Sequence, residues 1–291
     1  MTASATTPAP LTIAITGAAG LVGSGLRRQL LAAGHRIVSL DLRPITDPAP
    51  EETAHVVDIG DQAALTTHLR GVDGIVHLAA CTTDAPWPDQ VRLSIEGTIS
   101  LFDAARAAGV RRIAYASSHH VVGLHPRAPH GPRMGDTAIL RPDSRYAVGK
   151  AFGENIGALY ACKYGLQVLA IRIGNVNTRP IDRRRLGSWI SERDLAQLVT
   201  IGLTHPDVAF DIVYGISDAS GRHYDNATAH ALGYRPQDSS EGWDETVLRE
   251  DPPPAAGSDA AHTAAELTLG GGFSQAEFEG DGRRVLHRSP R

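Results

Sequence analysis

The sequence predicts an α/β fold in which helices cover both faces of a doubly wound parallel sheet. Short apolar runs of strand length alternate along the chain with longer segments whose apolar residues recur at helical spacing. Such alternation is typical of parallel strands joined by helical crossovers, which place helices on both sides of the sheet. With 291 residues, 42% of them hydrophobic, the chain is long enough to bury one sizeable core.

The predicted elements follow one another regularly up to residue 173, after which the pattern loosens. The last predicted helix begins after an N-cap at Ser191, with Asp194 three residues further on. The strands are predicted at 11–16, 36–41, 74–80, 111–118, 166–173 and 210–217, with a strand-like HVV at 55–57. The helices are predicted at 21–34, 61–70, 88–108, 146–164 and 192–204.

Charge and cysteine content argue against several classes of function. The formal net charge at pH 7 is −4, which gives no electrostatic reason to expect nucleic acid or an anionic membrane as a partner. No apolar run approaches the roughly 18 residues of a spanning helix, and residues 1–10 lack the features of a signal peptide. The cysteines are Cys81 and Cys162, so we expect a cytoplasmic protein without a disulfide framework.

A glycine-rich turn, GAAGLVG, connects the first predicted strand to the first predicted helix. This context is the one that a dinucleotide-binding turn of a Rossmann-like fold requires. Gly17 permits the tight turn, Gly20 lets the backbone approach a pyrophosphate, and Gly23 allows the helix to pack closely on the strand. Leu21 and Val22 begin the helix, whose N-terminus faces the phosphates. Taken alone, the turn could also be an ordinary connection between a strand and a helix.

Asp41 ends the second predicted strand and bears on which dinucleotide binds. A carboxylate at this place accepts hydrogen bonds from the adenosine ribose hydroxyls and repels a 2′-phosphate, so NAD is favoured over NADP. Arg43 could pair with such a phosphate, although a solvated surface arginine is the simpler interpretation. Asp58 and Ile59 follow the strand-like HVV and are expected beside the adenine, with the alternative that Asp58 only caps a turn.

Tyr146 and Lys150 lie four residues apart and therefore share one face of a predicted helix. A free phenol, with a pKa of about 10, is a poor base at neutral pH, but a neighbouring ammonium favours the phenolate. The alternative is a cation–π or packing pair. Ser117 and Ser118 end a strand at the edge of the sheet where ligands bind, so a serine there can hold a substrate hydroxyl against the tyrosine. Serines at strand ends also form turns.

Several motifs together resemble the extended short-chain dehydrogenase/reductase superfamily, also called the NAD-dependent epimerases/dehydratases. The resemblance runs from about residue 11 to 270 and implies NAD as cofactor. It implies that Ser118, Tyr146 and Lys150 form the catalytic set, and that Tyr146 and Lys150 also contact the cofactor. Leu78 and Ala79 are implied as further cofactor contacts. The motifs are TGAAGLVG, Asp41, HLAA at 77–80, YASS at 115–118 and YAVGK at 146–150.

Longer segments are similar to bacterial uronate dehydrogenases. Those enzymes oxidise the anomeric carbon of glucuronic or galacturonic acid to an aldarolactone with NAD. The segments are YASSHHVVGLHP, RPDSRYAVGKAFGEN, RIGNVNTRPIDRRRLGSWIS and the DPPP…GGGF tail. The resemblance implies a sugar-acid substrate that is held by Thr82, Ser118, His119, His120, Tyr146, Asn175 and Arg184.

Three positions depart from that pattern. His119 stands where those enzymes have asparagine and Asn175 where they have serine, which bears on which sugar acid fits. Ser94 replaces an asparagine that helps to anchor the catalytic helix in related enzymes, which bears on the support of the active site.

The loop after the strand at 166–173 is rich in arginine and fits an acidic substrate. A guanidinium can bind a carboxylate through two hydrogen bonds, which supplies both charge and orientation. We assign this role to Arg184 and expect the other three arginines of the loop to be solvated. The four are Arg179, Arg183, Arg184 and Arg185.

These observations divide the chain into four parts. We expect a flexible tail at 1–10, an NAD-binding Rossmann-like region at 11–173, a small C-terminal substrate-binding region at 174–270, and a loose tail at 271–291. The strand near 210–217 returns to the main body. We expect a homo-oligomer and no metal site, because the neighbouring His119 and His120 point apart on an extended segment and no ligand motif accompanies them.

Two alternatives stay open at this point. The same scaffold could support an epimerase, a dehydratase or a dehydrogenase of another small sugar or sugar acid. A non-catalytic NAD-binding protein is the second alternative, but such proteins often lose part of the catalytic set, which is intact here.

Overall fold

A parallel seven-stranded sheet lies at the centre of the molecule. The computed structural model describes residues 9–219 and 223–287. The strands are β1 (Thr12–Thr16), β2 (Arg36–Asp41), β3 (Glu52–Val56), β4 (Gly74–His77), β5 (Arg112–Ser118), β6 (Gln167–Ile173), β7 (Asn175–Val176), β8 (Trp189–Ile190) and β9 (Phe210–Gly215). The order in the large sheet is β3-β2-β1-β4-β5-β6-β9, and every pair in it is parallel. The short β7 and β8 pair with each other.

Helices cover both faces of this sheet. On one face, apolar side chains of the first and sixth helices pack against the strands; on the other, those of the second, fourth and fifth do so. The helices are α1 (Leu21–Ala32), α2 (Gln62–His68), α3 (Trp87–Gln90), α4 (Gly97–Ala108), α5 (Arg145–Tyr164), α6 (Glu192–Thr204), α7 (Ala227–Ala231), α8 (Asp244–Glu250), α9 (Ala264–Leu267), α10 (Gly272–Gln275) and α11 (Arg284–His287). The doubly wound, Rossmann-like α/β fold is therefore confirmed.

The direction of strand succession reverses between β1 and β4, which opens a crevice at the carboxyl ends of the strands. In the ladder, Thr16 at the end of β1 lies opposite Leu40 on one side and His77 on the other. Ser118, at the end of β5, lies opposite Ile173 of β6. The residues that follow these strand ends thus meet at one edge, which is where ligands bind in open α/β sheets.

Some predicted elements differ in detail. The expected helix at 88–108 consists of α3, a π-helical segment Val91–Glu96, and α4. The expected strand at 74–80 ends at His77, because the chain then turns along the crevice. The first two residues of the strand-like HVV, His55 and Val56, belong to the edge strand β3, which begins at Glu52, and Val57 follows it. Ser191 caps α6 as predicted, since its hydroxyl accepts the backbone N–H of Asp194 at 3.1 Å.

The C-terminal part of the chain is more closely attached than the expected loose tail at 271–291. The Phe273 ring lies 4.6 Å from that of His120, and the Ser274 hydroxyl donates to the carbonyl of Gly123 at 3.2 Å. Phe273 is half-buried and Val285 is buried, which gives this segment apolar contacts that a polar tail would lack. Residues 1–8 and 288–291, parts of the two expected tails, lie outside the described residues.

Candidate active site

A cleft of about 750 Å³ follows the carboxyl ends of the central strands. It brings together most of the side chains that the sequence singles out. The predicted residues that line it are Gly17, Gly20, Leu21, Val22, Gly23, Asp41, Ile59, Leu78, Ala79, Thr82, Ser118, His119, His120, Tyr146, Lys150 and Asn175. Asp58 and Arg184 do not line it. Asp58 instead accepts the backbone N–H of Gly60 at 2.8 Å, which is the turn-capping alternative.

The glycine turn is shaped to receive a pyrophosphate. Gly17 has φ +71, and a Cβ there would lie 2.9 Å from the backbone nitrogen of Ala79. A Cβ at Gly23 would lie 2.4 Å from the Gly17 carbonyl oxygen, so helix α1 can start this close to β1 only without one. No acidic side chain occupies the first turn of α1, which leaves its N-terminal N–H groups available to an anion. The residues present therefore fit a dinucleotide.

Asp41 closes the adenosine end of the cleft. Its Oδ2 accepts the backbone N–H of Ala19 at 2.9 Å, and its Oδ1 accepts that of Arg43 at 2.9 Å. The carboxylate is thus fixed against the glycine turn. Arg43 also lines the cleft, with a side chain that is 65% exposed.

Tyr146 and Lys150 lie one turn apart near the start of α5. The hydroxyl of Ser144 accepts the N–H of Ala147 at 3.2 Å and so fixes the beginning of the helix. The Lys150 ammonium lies 5.9 Å from the centre of the Tyr146 ring and 5.4 Å from that of Tyr115. Ser118, at the end of β5, forms a side-chain hydrogen bond with Tyr146.

The protonation of Tyr146 and Lys150 is set mainly by burial. Burial lowers the pKa of Lys150 to about 7. Burial also raises the pKa of Tyr146, while a hydrogen bond with Ser118 acts in the opposite direction. Because the two groups are neighbours, they titrate as a pair, and the number of protons that the pair holds determines whether it can act as a base. The pair that has lost one proton can exist as phenolate and ammonium, which is the basic form.

We expect Lys150→Met to stabilise the protein without cofactor while abolishing its activity. An unfolded lysine keeps a pKa near 10.5, so below about pH 7 the folded chain must bury a charge that the unfolded chain leaves in water. Removing it should raise the free energy of unfolding by roughly 2 kcal/mol or more at pH 6. Denaturant titrations at pH 6 and pH 10 would measure this.

The difference between variant and wild type should shrink as the pH rises from about 7 towards 10.5, because the unfolded lysine then loses its proton too. Lys163→Met, at the end of the same helix, is the matched control. A destabilised Lys150→Met protein at pH 6 would contradict the assigned burial cost.

His119 and His120 form a 3₁₀ turn directly after Ser118 and line the substrate end of the cleft. Nδ1 of His119 lies 3.0 Å from the Tyr224 hydroxyl, and burial lowers the pKa of His119 well below its usual range, so this imidazole is neutral. Nδ1 of His120 lies 2.6 Å from Oδ2 of the buried Asp143. Both rings are therefore fixed by a partner outside the cleft.

The arginine loop reaches the cleft through Asn175. The Asn175 side-chain oxygen accepts from Nε of Arg185 at 3.0 Å and lies 3.4 Å from Nη2 of Arg184. Arg185 lines the cleft but is paired with Asp182. Arg184 does not line the cleft, and its Nη1 donates to the Leu269 carbonyl at 3.4 Å. Burial lowers the pKa of Arg184.

Carboxylate partners distinguish Arg184 from the other three arginines of its loop. Arg179 pairs with Glu250, Arg183 with Glu266 and Asp251, and Arg185 with Asp182. Within the part of the chain that the structure describes, Arg184 has no such partner. Its positive charge is the one in this loop that is left for an anionic ligand.

Several residues of the site escaped the sequence analysis. Phe273 and Asn177 line the cleft, and Ser117 donates to Glu154 at 2.6 Å, which in turn holds the buried Arg172 at 2.9 Å. Lys150 and Glu154 are four residues apart, a helical spacing that could have drawn attention to Glu154. Phe273 ends the GGGF segment noted above for its similarity to uronate dehydrogenases, but no pattern in the sequence places its ring in the cleft. Among residues 9–219 and 223–287, no three His, Cys, Asp or Glu side chains gather to hold a metal ion.

The model of the NAD dependent epimerase/dehydratase family matches residues 13–207. The chain belongs to this family. Uronate dehydrogenase of Pseudomonas putida is 35% identical to this chain over 261 residues. The matched residues cover 89% of this chain and 96% of that relative. Glucuronic acid dehydrogenase of Chromohalobacter salexigens has a solved structure that superposes with a TM-score of 0.84 at 32% identity, covering 94% of this chain and 98% of that one.

A third relative provides evidence on the cofactor of this chain. A mutant uronate dehydrogenase of Agrobacterium tumefaciens, solved as a complex with NAD, superposes with a TM-score of 0.84 at 31% identity, covering 91% of this chain and 97% of that one. The epimerase/dehydratase-family chain is thus an NAD-dependent dehydrogenase, as the resemblance implied, and NAD as its cofactor is confirmed.

Proposed function

We propose that the chain oxidises the anomeric carbon of a hexuronic acid, glucuronate or galacturonate, to an aldarolactone with NAD. The observation that carries this proposal is Arg184, a partly buried guanidinium that does not line the cleft and forms no ion pair with a carboxylate of the described residues, while Asp182, which acts on it through space, is paired with Arg185. It lies beside the site that Ser118, Tyr146 and Lys150 form. The uronate and glucuronic acid dehydrogenases that match most of the chain support the same reaction.

The cleft would bind the sugar acid at the end opposite the glycine turn. The substrate carboxylate would pass Asn175 and pair with Arg184. A guanidinium that is partly shielded from water binds a carboxylate more strongly than one in bulk water does. His119, His120 and Thr82 would contact the sugar hydroxyls. Because Tyr224 and Asp143 fix the two imidazoles, these contacts select a particular arrangement of hydroxyls.

The chemistry would centre on Tyr146. Ser118 would hold the anomeric hydroxyl, and Tyr146, as phenolate stabilised by the Lys150 ammonium, would take the hydroxyl proton. When bound, NAD supplies the acceptor for the hydride of C1. Loss of that proton and of the hydride turns the anomeric C–O bond into the carbonyl of a lactone. Lys150 would also hold the nicotinamide ribose.

The direct test is to mix purified protein with NAD and D-glucuronate or D-galacturonate and to follow NADH by its absorbance, with D-glucose as the uncharged control. We expect rapid NADH formation with the acids and none with glucose, because only the acids can pair with Arg184. Activity on neutral sugars alone would keep the dehydrogenase chemistry and remove the role of Arg184. No NADH from any of these sugars would contradict the proposal.

An epimerase or dehydratase is not favoured, because the relatives that cover most of the chain are dehydrogenases. Epimerases keep NAD through turnover, so protein purified with stoichiometric bound NAD would argue for that alternative. Net consumption of added NAD in the assay above would argue against it.

Compartment and assembly belong to the same proposal. None of the helices in the described ranges combines the length and apolarity that crossing a bilayer requires. Cys81 and Cys162 are unpaired thiols, which suits the reducing cytoplasm. Val148 and Leu159 expose apolar surface on α5 and would lie at the contact between two copies in a homo-oligomer.

A further inference from the structure

Gln90 is fully buried, does not line the cleft and has no part in the mechanism above. Its side-chain nitrogen donates to the carbonyl of Thr83 at 2.6 Å and lies 3.5 Å from the carbonyl of Cys81. Its side-chain oxygen accepts from the hydroxyl of Ser94 at 2.9 Å. A buried carboxamide with both ends bonded holds its partners in one arrangement, because each bond would be costly to lose there.

Ser94, one helical turn after Gln90, also supports the backbone near Thr82. It lies in the π-helical segment Val91–Glu96, and its hydroxyl accepts the backbone N–H of Cys81 at 3.3 Å. Gln90 and Ser94 together therefore bind the backbone on both sides of Thr82, which lines the cleft. We call residues 81–83 the Thr82 loop.

The same two side chains also lie against the catalytic helix. A Cβ placed on Gly149, between Tyr146 and Lys150, would lie 2.7 Å from Cβ of Ser94 and 3.6 Å from Oε1 of Gln90. The backbone of α5 thus rests directly on this pair. The hydrogen bonds of Gln90 thus act on the Thr82 loop, whereas its contact with the catalytic helix at Gly149 is one of van der Waals distance, which a side chain of equal volume preserves.

We propose that Gln90 is a positioning residue that holds the Thr82 loop in place for substrate binding, an inference that rests on the proposed function. Its bonds go to the Thr82 loop and not to the glycine turn or Asp41. Loss of Gln90 should therefore affect binding of the sugar acid and leave binding of NAD unchanged.

The test compares Gln90→Met, which keeps the volume and removes the hydrogen bonds, with Gln197→Met. Gln197 is a matched control because its amide also holds a loop, by bonds of 2.9 and 2.6 Å to the backbone of Arg235, far from the cleft. For Gln90→Met we expect the KM for glucuronate to rise about tenfold or more, because the variant removes the buried hydrogen bonds with Thr83 and Ser94, and we expect the KM for NAD to stay unchanged. Gln197→Met should change neither constant.

Hydrogen–deuterium exchange provides a readout that needs no substrate. The peptide that covers residues 78–86 should exchange faster in Gln90→Met than in wild type or in Gln197→Met, since the N–H of Cys81 loses its supported acceptor. Unchanged exchange there, or an equal rise in the KM for NAD, would overturn the positioning role. If wild-type protein oxidised no hexuronate, the proposed function would fail, while the exchange experiment would still decide for or against Gln90.

Discussion

Tyr146→Phe should lower kcat for the sugar acid by about 10³-fold, because removing a general base typically costs between 10² and 10⁴. Its ring, its packing beside Phe273 and the position of Lys150 should stay the same, since only the hydroxyl is removed. Binding of NAD, measured by calorimetry, should therefore change little. Steady-state NADH formation would give the loss in kcat.

Tyr164→Phe on the same helix is the matched control, because its partly exposed ring lies outside the cleft. This variant should keep wild-type turnover. Turnover of Tyr146→Phe within tenfold of wild type would rule out a phenolate base at this position and with it the mechanism above.

The same pair should determine the pH dependence of the wild-type enzyme. The base is competent once the Tyr146–Lys150 pair has lost one proton, and burial lowers the pKa of Lys150 to about 7. We expect kcat/KM to rise with pH through this region and then to level off. A rate that falls over the same pH range would assign the titrating group to an acid instead.

Arg184→Met should lower kcat/KM for glucuronate by about 100-fold or more, because a partly buried carboxylate that loses its cation costs about 2–5 kcal/mol. The loss is measured from the NADH assay over a range of glucuronate concentrations. Folding should be unaffected or slightly improved, since Arg184 has no carboxylate partner among the described residues and its charge is costly in the free protein.

Two control variants test whether the loss is specific to Arg184 or follows from removing any arginine of its loop. Arg179→Met removes an arginine that pairs with Glu250 away from the cleft and should leave kcat/KM unchanged. Arg185→Met removes the arginine that lines the cleft but is paired with Asp182. If Arg185→Met caused the large loss and Arg184→Met did not, the carboxylate would bind Arg185 and our assignment would be wrong.

Short-range patterns explain why much of the fold and site could be predicted. Gly17, Asp41, Tyr146 and Lys150 belong to motifs whose spacing along one turn, strand or helix already fixes their geometry, and all line the same cleft. The edge strand β3 was only partly predicted because its first residues, Glu52 and Thr53, are polar and interrupt the apolar pattern of the strand.

Long-range contacts explain what could not be predicted. Phe273 joins the cleft from a segment more than a hundred residues after Tyr146 in the chain, and no periodicity announces such a contact. The three consecutive arginines at 183–185 look equivalent in sequence, and only their partners distinguish Arg184 from its neighbours. A buried polar residue such as Gln90 is likewise indistinguishable from a surface glutamine until its burial is known.

The contact between Ser94 and Gly149 constrains how this chain can change over evolutionary time. Any side chain at position 149 would collide with Ser94, so the two positions form a size-matched pair. A mutation that enlarges one is tolerated only after the other has become smaller, which makes the order of mutations decisive. The glycine inside YAVGK is thus expected to persist for as long as position 94 carries any residue that has a Cβ.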